Sequence, residues 1–190
     1  MKKIILIAAM AVMSIAASAQ NLKFGYVDFN EVIMLMPEMD QARATLEENQ
    51  KTNEEILMAM YEEYQTKAQQ YQQKASTWTP AIRESKEREI MDIQTRLEQT
   101  QQSLQQEMQQ LQNSLQAPIY EKAQATVNQI AKEMGLAAVF EMGTLLYIDE
   151  TQLVNLTPAT RTALGISEDR TLEALQAELQ AKAQAAQAQM

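Results

Sequence analysis

Between Met39 and Ile119 apolar and small residues recur at alternating steps of three and four, the seam of a coiled coil. The first half carries Met39, Ala42, Leu46, Ile56 and Met60, with Asn49 and Asn53 at the intervening positions. Around Ile56-Leu57 and Met60-Tyr61 the stripe steps sideways by one residue. It continues as Leu57, Tyr61, Tyr64, Ala68, Tyr71, Ala75 and Trp78. The second half carries Ile82, Ile90, Ile93, Leu97, Leu104, Met108, Leu111, Leu115 and Ile119, with Lys86 and Thr100 filling the seam. A stripe this narrow is buried by one partner helix and by little else, so the run predicts two long helices lying together.

The break between the halves is Ser76-Thr77-Trp78-Thr79-Pro80. Thr79 can cap a helix and Pro80 can take its first position, where the missing N–H costs nothing. The chain therefore turns back near residue 78, and residues 39–118 read as a long antiparallel helical hairpin. Facing positions should sum to about 158, and each arm should be roughly 60 Å long at the helical rise per residue. Composition agrees: there are 26 Gln but only four Gly and four Pro, which suits long helices and not a loop-rich domain.

The flanks read differently. Met1-Lys2-Lys3, the apolar run Ile4 to Ile15 and the small residues Ala17-Ser18-Ala19 have the three-part layout of a secretory signal peptide. Residues 1–19 are thus expected to be cleaved before Gln20, leaving an exported, soluble chain whose net charge moves from −9 to −11 with the loss of two lysines. A run of twelve residues is too short for a membrane span, which needs about 20. Leu22 to Asp28 reads as a strand, and Asn30 is placed to cap a short helix through Met36 before Pro37 restarts the helix. Gly135 should end the second arm at Met134. Leu136 to Phe140 and Thr144 to Asp149 read as a β-hairpin around Met142-Gly143, and Leu153 to Leu156 as a short extended piece. Thr157-Pro158 opens a helix that Gly165 ends.

Residues 20–38 and 119–166 then form a β-containing association body of 67 residues, too small to be comfortable alone and expected to oligomerise. Its candidate association residues are Phe24, Tyr26, Val27, Val139, Phe140, Leu146 and Ile148. Residues 167–190 are rich in Ala and Gln, with Leu172, Leu175 and Leu179 at helical spacing. They read as a frayed, solvated tail in preference to an amphipathic helix that pairs with another chain. The fold class is mainly α with a small β body (α+β), a coiled-coil hairpin projecting from an oligomerisation body.

The inventory removes most chemistries. With no His and no Cys there is no imidazole base, no thiolate and no zinc site of the usual kind. Glu84, Glu87 and Asp92 sit among Lys and Arg on helices, as solvated pairs do. No phosphate-cradling glycine pattern is present. A net charge of −9 argues against a nucleic-acid partner. No enzyme, cofactor or metal is expected.

An exported strand, a long coiled-coil hairpin and a closing β-hairpin together resemble the Skp/OmpH family of periplasmic chaperones. The residues that carry the resemblance are Phe24-Gly25-Tyr26-Val27-Asp28, Pro37-Glu38, Pro118-Ile119-Tyr120, Ile130 to Gly135, Val139-Phe140, Leu156-Thr157 and Leu164-Gly165-Ile166. It covers roughly residues 22–166. The resemblance implies a homotrimer whose strands form a central body, with helical arms that hold unfolded outer-membrane proteins without nucleotide. The alternative, an exported coiled-coil spacer or adaptor of the cell envelope, would share every fold feature and need no promiscuous binding.

Client contact, on that reading, falls to apolar groups on the arms: Leu57, Met58, Met60, Tyr61, Tyr64, Tyr71 and Trp78. With Asn53 as position a of a heptad, Met58 and Tyr61 fall off the seam, where flexible or amphipathic groups suit weak contacts with many chains. Tyr64, Tyr71 and Trp78 read first as packing between the arms. Charge is uneven too. Six acids against Lys51 lie between Glu47 and Glu63, whereas Lys67, Lys74 and Arg83 stand without an acid between Tyr64 and Arg83. This basic tip could meet acidic clients or, transiently, an anionic membrane surface, and it could equally be an ordinary solvated face.

Overall fold

The computed structural model describes residues 22–188, so the predicted leader at residues 1–19 lies outside the described residues. Strand β1 (Lys23–Val27) leads into helix α1 (Phe29–Leu35) and helix α2 (Pro37–Lys74). After a short 3-10 turn at Ala75–Thr77 come helix α3 (Pro80–Glu133) and strand β2 (Leu136–Glu141). A second 3-10 turn at Met142–Thr144 precedes strand β3 (Leu153–Asn155), helix α4 (Thr157–Ala163) and helix α5 (Leu172–Gln187). The chain divides into two compact units. One is Asp40–Pro118; the other takes the described residues up to Met39 and from Ile119 onward.

In the first unit α2 and α3 lie along one another. Cross-arm bonds join Lys67 to Glu89, Tyr71 to Glu87 and Arg96 to Glu63, pairs whose numbers sum to between 156 and 159, as a turn near residue 78 requires. Thr79 caps α3, its Oγ1 accepting the Ile82 N–H at 3.4 Å. The seam is shallow: Ala42, Ile93 and Leu97 are buried, while Leu46, Asn49, Asn53, Leu57, Met60 and Tyr64 are half-buried. Three expected stripe residues lie outside it, one of them Tyr61 at 48% exposed. Ile56 is 41% exposed and Ile82 is 44% exposed. Ile56 is displaced because the stripe passes through Asn53, Leu57 and Met60, which leaves it on the flank. Ile82 lies in the first turn of α3, beside the reversal.

The second unit is built on a three-stranded parallel sheet in the order β2-β1-β3. Gly25 pairs with Val139 on one side and Val154 on the other. A Cβ on Gly25 would overlap Leu156 Cδ1 and lie 2.9 Å from Leu136 Cδ1, so glycine lets both leucines close over the middle of β1 without either shifting. The buried apolar residues include Val32, Ile33 and Leu35 from α1 and Met36 just after it, with Ile119, Ala123, Val127 and Ile130 from α3. Tyr26 and Val27 of β1 are buried with them, as are Met39, Leu156, Leu164, Ile166 and Leu175. Gly135, at φ 66°, takes the left-handed conformation that ends α3.

Three sequence expectations are corrected in this unit. The β-hairpin is absent: Thr144 to Asp149 is not a strand, and β3 joins β1 in parallel instead. The reason is burial. Leu156 is fully buried, its N–H donating to the Tyr26 carbonyl at 2.8 Å, and this draws Leu153–Asn155 to the free edge of β1. Leu146 is left fully exposed and Ile148 half-buried, both outside the sheet. The cap of α1 is Asp28, not Asn30: Asp28 Oδ1 accepts the Glu31 N–H at 2.8 Å, and Asn30 lies within the helix. The expected frayed tail is largely the helix α5. Thr171 caps it by accepting the Ala174 N–H at 3.1 Å, and Leu175 is buried. Its partner is α1 of the same chain, far away in sequence, which a local reading does not see.

Candidate functional site

The expected client-contact residues divide by exposure according to their place on the α2 stripe. Leu57, Met60, Tyr64, Tyr71 and Trp78 are half-buried along the seam, whereas Met58 is 63% exposed and Tyr61 48%. Near the turn, Tyr71 and Trp78 stack edge to face with ring centroids 5.9 Å apart, a favourable aromatic geometry that fills the space beside the reversal. Three exposed apolar residues of the arms were not foreseen as contacts: Ile56 and Ile82, assigned to the seam, and Met91, which is 64% exposed on α3. The signal for Met91 was available, since it falls between the stripe residues Ile90 and Ile93.

The three tip cations do not act alike. Lys67 Nζ lies 2.5 Å from Glu89 Oε1, and Lys86 Nζ lies 2.7 Å from Glu89 Oε2. The hydrogen bonds from Lys67 and Lys86 hold the Glu89 carboxyl down at about 2, and the same bond raises Lys67 above its ordinary value. Tyr71 donates to Glu87, which raises the phenol because ionising it would cost that bond. The acids of α3 therefore neutralise the inner part of the tip. Lys74 and Arg83 are exposed, and neither has an ion pair among the described residues.

In the sheet unit Tyr26 and Val27 are buried, while Phe24 and Phe140 are 36% and 41% exposed with their rings 6.1 Å apart. Val139 is half-buried. β1 is flanked on both sides, so the outer edges of β2 and β3 have no strand partner among the described residues. Glu38 is held below its ordinary value by its hydrogen bond from Lys122. No cluster of His, Cys, Asp or Glu among the described residues could hold a metal ion, and none of their helices is long and apolar enough to cross a membrane.

Comparison with known proteins agrees with this geometry. The model of the family described as "Outer membrane protein (OmpH-like)" matches residues 23–164. No curated protein sequence matches the chain. Among solved structures, an OmpH-like outer membrane chaperone candidate from Caulobacter crescentus CB15 aligns with a TM-score of 0.69 at 12% identity. That alignment covers 79% of this chain and 90% of the other.

Proposed function

The chain belongs to the OmpH-like family, and from that premise we propose that it is a nucleotide-free holdase chaperone of the periplasm. It keeps unfolded outer-membrane proteins from aggregating, as a homo-oligomer and by preference a trimer. The observation that carries this reading is the exposure of apolar side chains off the hairpin seam, Ile56, Met58, Tyr61 and Met91. A spacer needs only the seam. Flexible thioethers and a tyrosine left on the flanks of a shallow coiled coil suit weak contact with many sequences.

Association falls to the sheet unit, where Phe24 and Phe140 form an exposed aromatic pair and β2 has an open edge. Leu146 joins this group as an exposed apolar side chain, with Ile148 beside it. Lys74 and Arg83 at the turn would meet acidic clients or an anionic membrane surface. Weak exposed contacts of this kind are screened by salt.

The test uses the chain from Gln20 without nucleotide. A urea-unfolded outer-membrane β-barrel protein is diluted into it while light scattering is followed. Suppression of scattering that saturates at one oligomer per client is the expected result. A folded, oligomeric protein that leaves scattering unchanged would overturn the holdase reading in favour of the envelope spacer.

A further inference from the structure

We propose that Met58 and Met91, one on each arm of the hairpin, are reversible oxidation sites, and that their conversion to methionine sulfoxide by a peroxide releases bound polypeptide while the fold is kept. The release rests on the chaperone reading; the sites of oxidation do not.

The chain holds 13 Met and no Cys. With no thiolate to react first, the thioether is the group on which a peroxide acts. The structure sorts these methionines by access. Met36 and Met39 are buried in the sheet unit, and Met34, Met60 and Met108 are half-buried. Met58 and Met91 are the most exposed of the described methionines, at 63% and 64%, against 43% and 44% for Met134 and Met142.

Both lie beside the seam and not in it. Met58 sits between Leu57 and Met60, which are half-buried, and Met91 between Ile90 and Ile93, half-buried and buried. An oxygen added at either sulfur therefore enters solvent and displaces no seam residue. Glu89 meets Lys67 across the hairpin, so Met91 is level with the residues just before Lys67. That level is about 12 Å along the arm from Met58, a span that about four residues of an extended chain cover.

Hydrogen peroxide is the simplest oxidant of the class. A lone pair of the methionine Sδ attacks one peroxide oxygen, and the S–O bond forms as the O–O bond breaks. The departing hydroxide takes the proton of the transferred hydroxyl and becomes water. Sulfur is oxidised by two electrons and the peroxide is reduced by two. The sulfoxide replaces a flexible apolar contact with a polar one. Losing apolar contact on the order of one buried methylene at each site lowers affinity about 10- to 20-fold. Methionine sulfoxide reductases restore the thioether with a dithiol, which supplies two electrons and two protons and becomes a disulfide as the oxygen leaves in water.

The test treats the whole chain from Gln20 with hydrogen peroxide and follows each methionine by mass spectrometry of its peptides. Met58 and Met91 should be oxidised at least about tenfold faster than Met36 and Met39, with circular dichroism unchanged when both have reacted. Affinity for a urea-unfolded outer-membrane β-barrel protein should then fall about 10- to 20-fold. Sulfoxide reductases with dithiothreitol should restore it. The double variant Met58→Leu with Met91→Leu, compared only with itself before and after peroxide, should change less than about twofold. Oxidation no faster at Met58 and Met91 than at Met36 and Met39 would overturn the sites. An equal fall in the leucine variant, which keeps Met134 and Met142, would overturn the release. Selective oxidation of Met58 and Met91 in a protein that binds no client, treated or untreated, would support the sites and overturn the chaperone reading.

Discussion

Lys67 of α2 and Glu89 of α3 meet across the hairpin with Nζ 2.5 Å from Oε1. Lys86, one turn before Glu89 on its own helix, reaches the other carboxylate oxygen at 2.7 Å. One carboxylate thus serves two ammonium groups at a place where each arm by itself would look like a row of solvated charges. The arrangement favours this register of the arms near the turn; being partly exposed, it adds only modestly to the apolar seam.

The pH dependence follows from that carboxylate. Its depressed value of about 2 means that its contribution is complete above the ordinary value of 4.5 and is lost as pH falls toward 2. Lys67 is raised above 10.5, so its contribution is complete below 10.5 and is lost only as pH rises through the higher folded value. Carbon-detected NMR titration should find Glu89 titrating below the other glutamates. Glu89→Gln should abolish the acid-dependent loss of amide protection around Lys67 and Lys86; an unchanged profile would place the dependence elsewhere.

Client affinity should track exposure off the seam. Met58→Gln with Tyr61→Gln should weaken binding of an unfolded β-barrel protein about tenfold at unchanged helicity, a loss of about 1.4 kcal/mol. Lys74→Gln with Arg83→Gln should leave affinity at high salt unchanged and remove its salt dependence. Fluorescence titrations at two ionic strengths check both.

Ile93 is 2% exposed and Met58 is 63% exposed, so their substitutions should separate stability from binding. Ile93→Ala should cost about 2–5 kcal/mol in urea unfolding. Met58→Gln should stay within about 0.5 kcal/mol of wild type.

Gly25→Ala should destabilise the sheet unit by about 1–3 kcal/mol, because the new methyl meets Leu156 and Leu136 on opposite neighbours and lies 3.0 Å from the Val154 carbonyl. A thermal melt with an unchanged midpoint would show that both leucines can move aside.

Asp28 N–H donates to Thr157 Oγ1 at 2.9 Å, tying the end of β1 to the start of α4. Thr157 is 8% exposed, so Thr157→Val keeps the shape and leaves that donor unpaired. The expected cost is about 1–3 kcal/mol, read from the urea midpoint of the sheet unit.

The hairpin was legible in the sequence because its determinants are local. Apolar spacing sets the stripe, and Thr79-Pro80 sets where the second helix begins. The heptad with Asn53 taken as a put Met58 off the stripe, where it is exposed; Tyr61, counted on the stripe by its spacing and off it by the heptad, is exposed as well. The ends of α3 and α4 at Gly135 and Gly165 were equally local, each at positive φ. What the sequence could not decide was which segment takes the second edge of β1. Thr144 to Asp149 has the better strand composition, yet Leu153–Asn155 is the strand, because Leu156 is buried and Thr157 meets Asp28 only once residues more than 120 apart are together. The same holds for α5, whose Ala/Gln composition favours a frayed tail until α1 supplies a surface for Leu175, and for Lys67, whose apparent freedom ends where α3 brings Glu89 beside it. Periodicity and end signals are properties of neighbours along the chain; burial and ion pairing are properties of neighbours in space, and only the tertiary structure assigns them.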